Sequence, residues 1–182
     1  MQRQTLELAL KNQLLVITGG PGTGKTTSIR AILAMFDEIG IKTLLCAPTG
    51  RAAKRMTELT GRDAATVHRM LGAKFDEDND RVVFTKDESD RLDCDAVILD
   101  ECSMVDICLM DALLRALPPD ARLIMVGDAD QLPSVGPGNV FSALIRSQVV
   151  ATVRLTEIFR QTGDSRIIRN AHMINRGEHP DL

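Results

Sequence analysis

Gly19-Gly20-Pro21-Gly22-Thr23-Gly24-Lys25-Thr26 carries the spacing G-x-x-x-x-G-K-T. Glycines at these positions let backbone N–H groups turn inward around an anion without a Cβ clash. A helix starting here aims its positive end at the same point. Lys25 then reaches the outer phosphates of a nucleotide, and the Thr26 hydroxyl is a hard oxygen donor for Mg²⁺. A Gly-rich turn with a chance Lys-Thr would lack flanking elements. Here the apolar run 14–18 predicts a buried strand before the loop. Ile29, Ile32, Leu33, Phe36 and Ile39 recur at helical spacing after it.

Other chemistry-bearing residues follow apolar runs in the same way. Residues 96–99 are Ala-Val-Ile-Leu, followed by Asp100-Glu101. Asp100 suits Mg²⁺ held through water, and Glu101, one residue on, suits a general base on an attacking water. Two adjacent acids favour hydrolysis over transfer to an acceptor. Residues 122–126 precede Gly127-Asp128-Ala129-Asp130-Gln131-Leu132-Pro133. The neutral amide of Gln131 can donate to a γ-phosphate and accept from water, while Asp128 is expected to order the loop. Residues 43–47 precede Pro48-Thr49-Gly50-Arg51, a helix start suited to phosphate. Arg160, in the amphipathic stretch 155–161, has the chemistry of an arginine finger, although an arginine alone is uninformative.

These runs must be positioned by a common frame. Strand patterns at 14–18, 43–47, 96–99 and 122–126 alternate with helix patterns at 28–39, 50–59 and 107–117, with a helical turn at 67–71. Continuous apolar strands alternating with helices predict an α/β fold, a parallel sheet with helices on both faces. Ligands of such sheets sit at the carboxyl ends of the strands, so the candidate residues should converge on one crevice. Residues 72–95 break the pattern with nine acidic and four basic residues around Val82-Val83-Phe84. They predict an exposed insertion in hairpin form, a solvated loop ahead of the alternative, an acidic interaction surface. A last helix pattern spans 165–175, and the tail 179–182 reads as a linker.

With 182 residues and 44% hydrophobic content, the chain has the size and core of one sizeable domain, or of one and a fragment of a second. A net charge of −3 argues against a protein that coats nucleic acid, yet leaves room for a local basic groove. Between residues 47 and 71, Arg51, Lys54, Arg55, Arg62 and Arg69 outnumber Glu58 and Asp63, which fits a nucleic-acid backbone. Thr66 and His68 could add polar contacts. Five Phe, no Trp and no Tyr leave little for a base-stacking platform. Cys46, Cys94, Cys102 and Cys108 form no C-x-x-C, and His68, His172 and His179 have no metal-ligand spacing, so free thiols in a reducing compartment are expected. No run approaches a membrane span, and the N-terminus lacks a secretory apolar region, which predicts a cytoplasmic protein with no membrane partner. No N-K-x-D string supports guanine recognition.

In this order the strings 18–27, 46–53, 65–71, 100–104, 127–133 and 155–161 resemble the motifs of superfamily 1 helicases, most closely the RecD-like (RecD/TraA) DNA helicases. The resemblance implies a RecA-like P-loop motor domain over 1–162, the first of two, with 163–182 opening the second. It implies ATP and Mg²⁺ as cofactors, with contacts from Gly20, Pro21, Gly22, Thr23, Gly24, Lys25, Thr26 and Thr27. Adenine would be read by Gln2, or by Gln4. It implies 5′→3′ movement on single-stranded DNA, with Pro48, Thr49, Gly50, Arg51, Thr66 and His68 in the DNA path and Arg160 on the γ-phosphate. The later motifs and the partner domain's catalytic arginine are absent from the chain. This length alone is therefore expected to be monomeric, a weak ATPase and unable to unwind DNA. The alternatives from the residues are a self-sufficient P-loop ATPase, such as a loader or oligomeric switch, and a nucleotide-gated DNA-binding module.

Overall fold

The structure, a computed structural model, describes residues 2–156, 170, 173, 174 and 177–179. Six of the strands among the described residues form one sheet: β1 (Leu14–Gly19), β2 (Thr43–Ala47), β3 (Ala64–Thr66), β6 (Ala96–Leu99), β7 (Arg122–Gly127) and β8 (Ala151–Leu155). Their order is β3-β2-β6-β7-β1-β8, and each neighbouring pair is parallel. The expected α/β architecture is therefore present, two strands wider than the apolar runs indicate. The helices within residues 2–156 are α1 (Gln2–Lys11), α2 (Lys25–Glu38), α3 (Gly50–Thr60), α4 (Val67–Met70), α5 (Ile107–Ala116) and α6 (Val140–Ser147). A 3-10 turn covers Cys102–Met104. No helix among the described residues is long and apolar enough to cross a membrane.

Strand alternation divides the core in two. Leu15, Ile17, Ala96, Ile98, Ile124 and Val126 pack with Ala9 of α1, with Ile29, Ile32, Leu33 and Phe36 of α2, and with Met56 of α3. Their neighbours Val16, Val97, Leu99, Leu123 and Met125 pack with Val67 of α4, with Leu109, Met110, Leu113 and Ala116 of α5, and with Phe141 and Ile145 of α6. The period of two puts α1, α2 and α3 on one face and α4, α5 and α6 on the other. Truncating a fully buried anchor such as Leu113 to Ala would cost roughly 2–5 kcal/mol.

Local signals set the boundaries. Thr49, Thr66, Asp106 and Asn139 cap α3, α4, α5 and α6 with side-chain oxygens that accept from Ala52, Arg69, Leu109 and Ser142 N–H groups. Gly61, at φ 72°, ends α3 in the left-handed region that glycine adopts without a Cβ penalty. Helix α2 starts three residues earlier than the apolar spacing alone predicts, because the P-loop itself turns into it.

The acidic insertion separates into two parts. Residues 73–84 form an antiparallel hairpin of β4 (Ala73–Asp76) and β5 (Arg81–Phe84), as expected. The remainder is less solvated than its charge predicts. Leu92 and Cys94 are buried, and Leu92 N–H donates to the Ala116 carbonyl at 2.8 Å. The Arg91 guanidinium donates to the Leu117 carbonyl, and Arg115 pairs with Glu88 at 3.3 Å. The segment caps the orphan carbonyls at the end of α5. The helix pattern at 165–175 lies almost wholly outside the described residues.

Candidate active site

At the end of β1 the backbone has no room for side chains. A Cβ on Gly19 would lie 2.5 Å from Thr23 Oγ1 and 2.8 Å from the Leu155 carbonyl oxygen. Gly22 and Gly24 take φ values of 75° and 89°. Thr23 Oγ1 donates to the Gly20 carbonyl at 2.8 Å and closes the loop. Helix α2 has no side-chain cap at Gly24, so its first N–H groups face the loop. Lys25 Nζ donates to the carbonyls of Gly19, at 2.6 Å, and Gly20, at 3.0 Å. The ammonium is thus held against the carbonyls of the loop, where a bound phosphate would compete for it.

Two strands away, Asp100 and Glu101 follow β6. Glu101 N–H donates to Asp100 Oδ1 at 2.9 Å. Glu101 itself adopts φ 55°, ψ 41°, a left-handed conformation that costs of order 1–2 kcal/mol for a residue with a Cβ. Burial pushes the Asp100 carboxyl above its ordinary value, opposed by the Glu101 N–H and by the charges of Lys25 and Arg55. Glu101 is pushed up by burial and then by the Asp100 charge, opposed by the same two cations. A raised carboxyl is more basic, which suits a group that takes a proton from water.

The loop after β7 is built by its aspartate, as expected. The buried Asp128 accepts from Asp130 N–H at 3.0 Å, and its carbonyl accepts from Gln131 N–H at 3.3 Å. Thr18, at the end of β1, accepts from Ala129 N–H at 3.2 Å and ties this loop to the P-loop strand. Ser103 Oγ donates to Gln131 Oε1 at 3.4 Å. All these segments open on one cleft of about 930 Å³, lined by Gly20 to Thr27, Ile29, Ala52, Arg55, Met56, Leu59, Thr60, Asp100, Glu101 and Gln131. Thr26 and Asp100 supply hard oxygen donors within it, a donor set that fits Mg²⁺ held by few side chains plus phosphate.

The residues expected in a DNA path lie beside this cleft. Ala47 of β2 pairs with Thr66 of β3, so the loops leaving the two strands are adjacent. Thr49 and Thr66 each accept one N–H as a helix cap, which leaves the hydroxyl proton and a second lone pair for a ligand. Pro48 is half-buried, Gly50, Arg51 and His68 are exposed, and the His68 ring lies 5.8 Å from Phe84. The five basic residues of this stretch do not form one surface. Arg62 pairs with Asp37 at 2.6 Å, and Arg55 lines the cleft of the P-loop instead. On α3, Ala52, Arg55, Met56 and Leu59 make an i, i+3, i+4, i+7 stripe along the cleft, while Arg62 lies beyond the helix end at Gly61. That spacing was available in the sequence, whereas the link from Ser103 to Gln131 had no sequence signal. Gln2 lies in the first turn of α1. Arg160 lies outside the described residues.

A family model described as an AAA domain matches residues 2–137. The chain is 42% identical over 179 residues to the ATP-dependent RecD2 DNA helicase of Deinococcus radiodurans, covering 98% of this chain and 24% of that protein. It is 40% identical over 167 residues to the RecBCD enzyme subunit RecD of Mycobacterium tuberculosis, covering 79% of this chain and 28% of that one. It thus spans about a quarter of the length of these curated relatives. Among solved structures, Pif1 helicase from Candida albicans superposes with a TM-score of 0.66 at 28% identity, over 99% of this chain and 44% of that chain. A structure of Pif1 helicases at forked duplex DNA has a TM-score of 0.69 at 24% identity, a likeness of fold.

Proposed function

We infer the function from one premise: the chain belongs to the AAA domain family, and its sequence is that of a RecD-like helicase motor domain. We propose that it is the ATP-binding motor domain of an ATP-dependent 5′→3′ DNA helicase, and that it couples Mg-ATP hydrolysis to movement on single-stranded DNA. Residues 1–162 are the motor domain of this reading, 163–182 begin the second, and the protein works in the cytoplasm. The observation that carries the proposal is the convergence of the P-loop, Asp100, Glu101 and Gln131 on one cleft at the carboxyl ends of parallel strands.

In this reading the P-loop amides and Lys25 hold the phosphates, and Gln2 reads adenine. Thr26 and Asp100 hold Mg²⁺, which when bound neutralises charge on the phosphate oxygens. Glu101 orients the attacking water and takes its proton. Gln131 touches the γ-phosphate and reports its presence to the loop after β7. Arg160 stabilises charge on the transferred phosphoryl group. The path Pro48-Thr49-Gly50-Arg51 with Thr66 and His68 holds the DNA backbone, beside the wall of the cleft formed by α3.

Catalytic charge in such motors is shared with a second domain, and one missing arginine finger lowers turnover by ~10³–10⁵-fold. This chain alone is accordingly a weak ATPase that does not unwind DNA. The test is Glu101→Gln in a longer protein that carries both motor domains. Nucleotide binding is expected to persist while DNA-stimulated hydrolysis is lost. Unchanged hydrolysis would remove Glu101 from the role of base. Vigorous DNA-stimulated turnover by the 182-residue chain itself would contradict the shared site.

A further inference from the structure

We propose that Arg55 of α3 is a nucleotide-sensing residue of the same cleft, one that contacts the terminal phosphate of a bound nucleoside triphosphate; this rests on the ATP-site reading above.

Helix α3 is firmly placed. Thr49 caps its start, Ala53 and Met56 are buried under it, and Gly61 ends it. Arg62, just beyond, is tied to Asp37 of α2 at 2.6 Å. The stripe facing the cleft is Ala52, Arg55, Met56 and Leu59, joined by Thr60. Arg55 is the charged member of that stripe, and its residue is exposed. Among the described residues no salt bridge or side-chain hydrogen bond occupies its guanidinium. Lys25, the other cation lining the cleft, is engaged by the Gly19 and Gly20 carbonyls.

The position along the cleft selects the ligand atom. Helix α3 follows β2, the neighbour of β6, Asp100 N–H donates to the Cys46 carbonyl of β2 at 3.0 Å, and Arg55, Asp100 and Glu101 line the same cleft. The guanidinium therefore acts at the end of the cleft where the two acids gather, the end that receives the outer phosphates. Bringing a triphosphate to this end adds negative charge beside two carboxylates, which is unfavourable without a further cation. An arginine fork matches phosphate oxygens with two parallel N–H bonds. A diphosphate, lacking the terminal group, would not be held by it.

The test is equilibrium binding of a fluorescent non-hydrolysable ATP analogue and of the matching ADP, each with Mg²⁺, to the 182-residue chain. Arg55→Gln should weaken the ATP analogue about tenfold or more and ADP less than about twofold. Arg55→Lys, which keeps the charge but not the fork, should show a smaller loss in the same triphosphate-only direction. Equal losses for both nucleotides, or no loss for either, would overturn the proposal while leaving the ATP site intact. A wild-type chain that binds neither nucleotide would overturn the ATP-site reading and this inference with it. The unfolding midpoint of each variant, expected to equal that of wild type, separates a lost contact from a damaged fold.

Discussion

Ser103 Oγ donates a hydrogen bond to Gln131 Oε1 across 3.4 Å, joining the turn after Glu101 to the loop after β7. The two residues follow different strands, β6 and β7, and Ser103 is buried. With its oxygen held, the Gln131 amide is left with its NH₂ donors. The bond thus sets which face of the amide the cleft meets, and links that face to the residue two positions before Ser103.

Removing this link should affect hydrolysis more than binding. Ser103→Ala is expected to slow single-turnover ATP hydrolysis about fivefold to tenfold, the size of one modest hydrogen bond expressed as a rate. ATP affinity should stay within about twofold, since the phosphate ring does not include Ser103. An equal loss of affinity and rate would show that the serine serves the fold and not the alignment of Gln131.

The cysteines make a second check on the core. Cys46, Cys94 and Cys102 are buried and Cys108 is exposed. Burial pushes the Cys94 thiol up to about 11, with the Asp95 and Asp93 charges adding to the rise. Burial likewise raises Cys46 and Cys102 far above the ordinary thiol value of 9.0. Alkylation of the native protein at pH 8 should label Cys108 alone, with the others reacting after denaturation. The linkage has a definite sign. An acid whose folded pKa lies above its unfolded value binds its proton more tightly when folded, so stability falls as pH rises past 9. Cys94→Ala should therefore flatten the loss of thermal stability between pH 8 and pH 10. Rapid native labelling of more than one thiol would mean the core is more open than described.

Thr49 carries two expected duties, and they can be separated. Its oxygen caps α3 by accepting from Ala52 N–H at 3.2 Å. Thr49→Ala should lower stability by about 1 kcal/mol in urea denaturation, and Thr49→Ser should restore most of it. If the residue also touches DNA through its hydroxyl, Ser should keep single-strand affinity in a protein that holds the whole groove. A Ser variant that is stable but fails to bind would assign the contact to the methyl group.

Much of this cleft is legible in the sequence, for a simple reason. Residues 14–18, 43–47, 96–99 and 122–126 are central strands covered on both faces, so they appear as unbroken apolar runs, and the chemistry begins where each run stops. Edge strands lack that signature. β3 is Ala64-Ala65-Thr66, too short and too small to stand out. β8 alternates Thr152, Val153, Arg154 and Leu155 because one side of it is exposed. Helix α1 is polar apart from a narrow stripe through Ala9, and α6 is a short helix after a Pro-Gly-rich loop. The basic residues of 51–69 misled in the opposite direction. Close in sequence, they are separated in space: Arg55 lines the P-loop cleft, Arg62, beyond the end of α3, pairs with Asp37 of α2, and Arg69 belongs to α4.

Residues 19–26 are proposed to hold the phosphates of Mg-ATP, and calorimetric titration tests this role most plainly. The wild-type chain should bind one Mg-ATP, and Lys25→Ala, with an unchanged unfolding midpoint, should bind at least about tenfold more weakly, the loss expected for one charge-assisted phosphate contact. A wild-type chain that takes up no Mg-ATP, or a Lys25→Ala variant that binds it as well as wild type, would contradict the account.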